Sequence, residues 1–310
     1  MLANRKIVII GTGHVGSHCA YALAIQGICD EIVLVDKDRT KAKSMDIADS
    51  VSFFNSSVIV RCGDYSDCKD ADIIVISAGV PRLPGQTRLD VLDGSVECVR
   101  DIVSNLNKIE IKGIIITITN PADIIADFVR KATGLPKNRV FSTGTSLDTA
   151  RMRRTVADLC NIAPQSVIGF AMGEHGDSSM VPFSNLTIFG KNYKHLKEEN
   201  PERFGKLSEK VITDQTHMRG MDIIEGKGST EFGIGTALAD MAKAVLMDEH
   251  RILPASTLLE GEYGQTNVHA GVPCIIGRNG IEQIIELKLT DEELKQFENS
   301  CNVIKQHMVE

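Results

Sequence analysis

An apolar run, KIVII at residues 6–10, passes directly into Gly11, Thr12, Gly13, His14, Val15 and Gly16, and a helix-forming stretch from Ser17 to Gln26 follows. No other feature limits the possible folds as much. Glycines let the chain turn tightly after a strand and let another group approach the backbone closely, while the following helix offers unpaired N–H groups and the positive end of its dipole. A pyrophosphate fits such a turn. The next apolar run, EIVLV at 31–35, ends at Asp36. A carboxylate there accepts hydrogen bonds from a ribose 2′-OH and repels a 2′-phosphate, which favours NAD over NADP. The competing reading is a structural glycine turn followed by a surface acid, which leaves the order strand, turn, helix, strand, acid to chance.

Further short Ile/Val-rich runs follow: VIVR at 58–61, DIIVIS at 72–77, GIIITIT at 113–119 and RVF at 139–141. Such runs suit strands buried on both faces, hence a parallel sheet covered by helices. The expected class is α/β, a doubly wound parallel Rossmann sheet over residues 1–142, followed by a mixed α+β domain over 143–310. In the second part a helix is expected from Glu202 to Glu225 and another after Phe232, then strand-like VPCIIG and IEQIIEL. A last helix starts at Thr290, where Thr290 and Glu293 fit a capping box, and runs to His307. With no flexible linker, the two parts should share one cleft.

At 310 residues, 43% of them hydrophobic, the chain can bury a large core. Its net charge of -7 disfavours nucleic-acid binding, which needs a basic face. Eight cysteines lack CxxC or metal-ligand spacing and read as reduced thiols. No apolar run reaches the ~18 residues of a membrane span and no signal-type leader precedes KIVII, so a cytoplasmic protein without bound metal is expected.

Three segments carry chemistry. The first is GEHGDS at 173–178, where His175 has the side chain best suited to exchange a proton near neutral pH. In the second, LDTARMRR, Asp148 and Arg151 are three residues apart and share one helix face. The third holds Pro81, Pro84 and Gly85 with two arginines, Arg82 and Arg88, as suits a loop closing on an anion. Singly, each has a plain alternative: an ordinary loop histidine, a helix N-cap, a solvated basic loop.

Together the nucleotide turn, AGVPRLPGQTR, ITNPAD, GTSLDTAR, GEHGDSS and GKGSTEFGIG, in this order, resemble the L-lactate and malate dehydrogenase family over essentially the whole chain. The pattern is most similar to bacterial-type L-lactate enzymes. The resemblance implies hydride transfer between NAD and the C2 carbon of a small L-2-hydroxy or 2-keto acid, by a homotetramer or homodimer. It implies that His175 donates and accepts the proton, that Asp148 fixes and stabilises its ring, and that Arg151 grips the substrate carboxylate. Arg88 would polarise the C2 carbonyl, Asn120 would donate to the same oxygen, and Thr230 would face the variable end of the substrate. Gly79, Ile118 and Ile234 would line the nicotinamide, with Gly11, Gly13, His14, Val15, Gly16, Asp36, Lys41, Tyr65, Asn120 and Thr143 completing the cofactor site.

Two positions divide the family. Arg82 stands where lactate enzymes usually carry glutamine and malate enzymes arginine, while Thr230 and GEHGD are similar to the lactate type. Pyruvate and oxaloacetate therefore both stay open as substrates. Bacterial relatives activated by fructose 1,6-bisphosphate pair an arginine at the position of Arg153 with a histidine at that of Ile168, so activation by this sugar phosphate is not expected. An NAD-dependent glycosidase and a non-catalytic NAD sensor are the readings from other classes.

Overall fold

Strands with no polar face must be covered on both sides, and the chain supplies helices in alternation with them. The computed structural model describes residues 5–37, 40–80 and 91–309. Its first half runs β1 (Lys6–Ile10), α1 (His14–Gln26), β2 (Glu31–Val35), α2 (Thr40–Val51), β3 (Ile59–Cys62), β4 (Ile73–Ile76), α3 (Leu92–Leu106), β5 (Ile114–Thr117), α4 (Ala122–Thr133) and β6 (Val140–Ser142). These strands pair in parallel in the order β6-β5-β4-β1-β2-β3. The order reverses between β1 and β4, and the crevice beyond their carboxyl ends is where a doubly wound sheet binds its ligand. Ile7, Val8, Ile9, Ile73, Ile74 and Ile115 are fully buried. Each such side chain contributes about 1.5–3 kcal/mol relative to exposure.

The second half comprises α5 (Ser146–Cys160), β7 (Val167–Ile168), β8 (Thr187–Ile188), β9 (Lys191–Asn192), α6 (Tyr193–Glu199), α7 (Pro201–Phe204), α8 (Glu209–Lys227), α9 (Phe232–Leu246), β10 (Arg251–Glu260), β11 (Thr266–Gly277), β12 (Gly280–Ile284) and α10 (Asp291–Lys305). Strands β7, β8 and β9 make a small antiparallel sheet. Strands β10, β11 and β12 form an antiparallel meander that joins the first sheet at β6, giving nine strands in one sheet. A single residue pair, Ser256 with Ser142, makes that join.

Two expectations need correction. The helix expected from Glu202 is two helices: the chain breaks after Phe204, and Ser208 starts α8 afresh by accepting a hydrogen bond from Val211 N through its side chain. Strand β10 also lies where no strand was expected, because Pro254 interrupts its pattern. Pro254 faces Pro273 across the ladder, and each carbonyl takes a donor from elsewhere, Ser146 Oγ at 2.6 Å on Pro254 and Ile285 N at 2.8 Å on Pro273. The capping box of Thr290 and Glu293 starts α10 as expected. All eight cysteines are free thiols. Among the described residues no helix is long and apolar enough to cross a membrane.

Candidate active site

The glycine turn after β1 serves two different needs. Gly11 has φ of +91°, and a Cβ there would fall 2.4 Å from Ala78 N beyond the end of β4. A Cβ on Gly16 would fall 2.0 Å from the Gly11 carbonyl oxygen. The protein itself fills these spaces. At Gly13 a Cβ would meet nothing within 4 Å, so the opening is left for something else. Gly13 is also the N-cap of α1, with no side-chain cap and no acid in the first turn. The first N–H groups of the helix therefore face that opening without a protein acceptor from the cap, and an anion such as a pyrophosphate fits there. Asp36 ends β2 against the same turn, accepting from Thr12 N at 2.6 Å, Thr12 Oγ1 at 3.0 Å and Lys37 N at 2.7 Å. Its carboxylate is thus held at the rim while remaining exposed.

The other expected cofactor residues are placed around this crevice to different degrees. His14 is exposed at the first turn of α1, 3.6 Å from Glu231 before α9, while Val15 packs on the core. Gly79 follows β4, where a Cβ would fall 2.7 Å from the Thr119 methyl. Ile118 and Thr143 are buried past the ends of β5 and β6, and Asn120 is exposed two residues beyond Ile118. Ile234 lies in the first turn of α9, packed on the core. Lys41 is exposed on α2, and Tyr65, after β3, is half-buried against the core.

On the facing wall, helix periodicity sets Asp148 and Arg151 one turn apart on α5. His175 Nδ1 lies 2.6 Å from Asp148 Oδ2, and Arg151 Nη1 lies 3.1 Å from Asp148 Oδ1. Arg151 Nη2 reaches Thr230 Oγ1 at 3.3 Å. The structure thus brings His175, Asp148, Arg151 and Thr230 into one chain of contacts. The side chains of Asp148 and His175 are only 12% and 14% exposed, so the attraction between carboxylate and imidazolium is less screened than at the surface. With Nδ1 committed to the carboxylate, Nε2 is the ring atom left to exchange a proton. Arg151 also lines a cavity of about 420 Å³ between α5 and α8, with Leu147, Asp222 and Ile223.

The loop carrying His175 is held at its backbone. Gly173, with φ of +87°, exchanges two hydrogen bonds with Gly271 of β11. Glu174 N donates to Ser300 Oγ at 2.8 Å, and His175 N donates to Asp123 Oδ2 at 2.8 Å. Sequence reasoning singled out Asn120 in ITNPAD but missed Asp123. The signal was present: an acid inside the run PADIIADF, on a helix whose first eight residues are all buried. Arg82 and Arg88, with Pro81, Pro84 and Gly85, lie outside the described residues. Asp248 and His250, between α9 and β10, gather with Glu282 of β12, but the Arg278 guanidinium already sits 3.4 Å from Asp248.

Residues 5–142 match the family model for the lactate/malate dehydrogenase NAD binding domain, and residues 145–310 that for the lactate/malate dehydrogenase alpha/beta C-terminal domain. L-lactate dehydrogenase 3 of Bacillus anthracis is 42% identical over 307 residues, covering 98% of this chain and 97% of that protein. The L-lactate dehydrogenase of Fusobacterium nucleatum is 43% identical over 310 residues, covering 99% and 97%. Among solved structures, the ligand-bound minor L-lactate dehydrogenase from Enterococcus mundtii superposes with a TM-score of 0.92 at 35% identity, covering 98% of each chain.

Proposed function

Because this chain belongs to the lactate/malate dehydrogenase family, we propose that it is an NAD-dependent L-lactate dehydrogenase, interconverting pyruvate and L-lactate by reversible hydride transfer. The observation that carries the reading is the 2.6 Å contact of His175 with Asp148 one helical turn from Arg151. Reducing a keto acid needs a proton at the C2 oxygen and an anchor for the carboxylate, and these residues are the types that supply them. NADH, when bound, supplies the hydride. The uncapped start of α1 and the opening at Gly13 suit its pyrophosphate, and Asp36 suits its adenine ribose.

In this reading His175 holds the proton at Nε2 while Asp148 keeps the ring in one tautomer and stabilises its cationic form. Arg151 binds the substrate carboxylate. Its Nε has no hydrogen-bond partner among the described residues, so its bonds to Asp148 and Thr230 leave donor capacity unused. Asn120 donates to the C2 oxygen, and Arg88 supplies the positive charge that stabilises the one developing there. Thr230 bounds the far end of the substrate pocket. We further propose a cytoplasmic homotetramer or homodimer, by analogy with the family.

Arg82 favours a second reading, in which oxaloacetate is also reduced because its second carboxylate pairs with this arginine. The test is NADH oxidation followed by absorbance with each acid, in the parent protein and in Arg82→Gln. Activity with either acid supports the dehydrogenase reading, and none with both ends it. Breaking a desolvated ion pair costs ~2–5 kcal/mol, so the substitution should move the ratio of the two kcat/KM values at least about tenfold toward pyruvate. An unchanged ratio removes the role of Arg82.

A further inference from the structure

Glu231 follows Thr230 and caps the N-terminus of α9, with its side chain only 11% exposed. Its carboxylate accepts from Ser229 Oγ at 2.6 Å and from Lys227 Nζ, at the end of α8, at 2.8 Å. It also faces two histidines one turn apart on α1, with His14 Nδ1 at 3.6 Å and His18 Nε2 at 3.8 Å. Phe232 meets the His18 ring edge-on at 4.8 Å. At Gly235 a Cβ would fall 3.0 Å from the His18 carbonyl oxygen, so the start of α9 lies directly on α1. Among the described residues, the charged or titrating groups around Glu231 are His14 and His18 of α1 and Lys227 of α8. His14 is exposed, so solvent screens its charge, whereas His18 is half-buried.

The hydrogen bonding of His18 decides what its contact with Glu231 is. Its Nδ1 lies 2.7 Å from the His14 carbonyl oxygen, which only accepts, so Nδ1 carries a hydrogen. In the neutral ring Nε2 is then a bare lone pair turned toward a carboxylate, and the contact repels. In the imidazolium Nε2 carries a hydrogen as well, and the contact is an ion pair. Lys227 first, and then Ser229, hold the Glu231 carboxyl below its ordinary range, so across neutral pH the charge changes on the histidine side. Thr230, beside Glu231 in the chain, takes Arg151 Nη2 at 3.3 Å. We infer that Glu231 and His18 are positioning residues, a charge-switched clasp that holds the Thr230 end of the substrate pocket on the cofactor helix while His18 is protonated. The clasp acts on the substrate through Thr230 and the Arg151 guanidinium. The inference rests on the dehydrogenase reading and deepens it.

A double-mutant cycle read at two pH values tests this, with His18→Gln and Glu231→Gln alone and together. NADH oxidation is followed with whichever keto acid the parent reduces. Glutamine at 231 still accepts from Lys227 or Ser229, and glutamine at 18 keeps a helix-forming side chain without a titrating charge. At about pH 6, His18→Gln should raise KM about threefold, a size suited to a partly exposed pair, and hold kcat within about twofold. At about pH 8 it should change KM by less than about 1.5-fold, since the parent has lost the imidazolium. In the Glu231→Gln background the same substitution should leave KM unchanged at either pH. Ratios within the cycle cancel the titration of His175, which every protein in it shares. NADH affinity of His18→Gln, read by fluorescence, should stay within about twofold, because the glycine turn and Asp36 hold the cofactor. A purely structural role would lower the melting temperature and leave the cycle flat with pH.

Equal coupling in KM at both pH values, or none at the lower one, overturns the inference. If His18→Gln does not fold, Glu231→Gln decides: its KM relative to the parent must shrink as pH rises, and a constant ratio overturns the clasp. A parent protein inactive on both keto acids overturns the dehydrogenase reading instead. The pair is then read by NMR, where the His18 ring should give up its proton at lower pH in Glu231→Gln than in the parent. An unmoved titration removes the pair.

Discussion

On the nucleotide side of the cleft, β1, β4 and β5 have no exposed residue, and the backbone beyond them is set by glycines whose missing side chains are replaced by neighbouring main chain. On the substrate side, α8 runs for 19 residues of which only Ile212 and Thr216 are buried, and the groups that meet on α5 and before α9 are an arginine, a carboxylate and a hydroxyl joined by hydrogen bonds. The first wall is shaped by steric exclusion, the second by directed contacts. Errors on the two walls should therefore read out differently: clashes on the first should cost the fold, and truncations on the second should cost chemistry while leaving the fold intact.

The sharpest way to break that contrast is His175→Asn. It should lower turnover at least about a thousandfold, near the upper range for losing a general acid. NADH binding and melting temperature should stay close to the parent values. Near-normal turnover in this variant would remove His175 from the chemistry.

A glycine pair sharpens the other side of the comparison. Gly16→Ala drives a methyl group into the Gly11 carbonyl, and should destabilise the fold by about 1–3 kcal/mol, measured by denaturant melts. Gly13→Ala meets no protein atom. It should melt normally but bind NADH about tenfold more weakly, a loss of ~1.4 kcal/mol. Equal destabilisation by both would mean that the space at Gly13 belongs to the protein and not to a ligand.

The smallest expected effect is at Arg153. It stacks over Phe170 and donates at 3.2 Å to the carbonyl of Gly169, the residue that follows Ile168. An isoleucine offers no donor to a phosphate, so fructose 1,6-bisphosphate should leave the pyruvate saturation curve within about twofold of its position, against the ~1.5–3 kcal/mol a charge-assisted contact provides. A strong shift at micromolar effector would contradict this.

The same contrast governs how much could be read from the sequence. The nucleotide half was legible almost strand by strand because burial on both faces writes itself as unbroken Ile/Val runs, and the turn must be glycine. His175, Asp148 and Arg151 were legible as residue types, but only folding brings Nδ1 of residue 175 within 2.6 Å of residue 148. Strand β10 was hidden by Pro254, whose carbonyl takes its donor from Ser146, 108 residues back in the chain. The break before α8 was masked by good helix formers on both sides, with Ser208 as its cue. Asp123 was missed because its meaning lies in a bond to a backbone 52 residues away.

The single pairing of Ser256 with Ser142 has a mechanical consequence. Everywhere else the nine strands are laced by several rungs, so bending the sheet across those strands would tear a row of bonds. Along the β6–β10 line the ladder is a crease. Across it the β10–β12 flap is held by what lies off the ladder, the Asn138 amide on the Asn279 carbonyl, the Ser146 hydroxyl on the Pro254 carbonyl and the packing of β11 into the common core, while Gly173 and the loop behind it are tied to β11. The two panels are thus riveted along a seam by side chains, not woven through it by backbone.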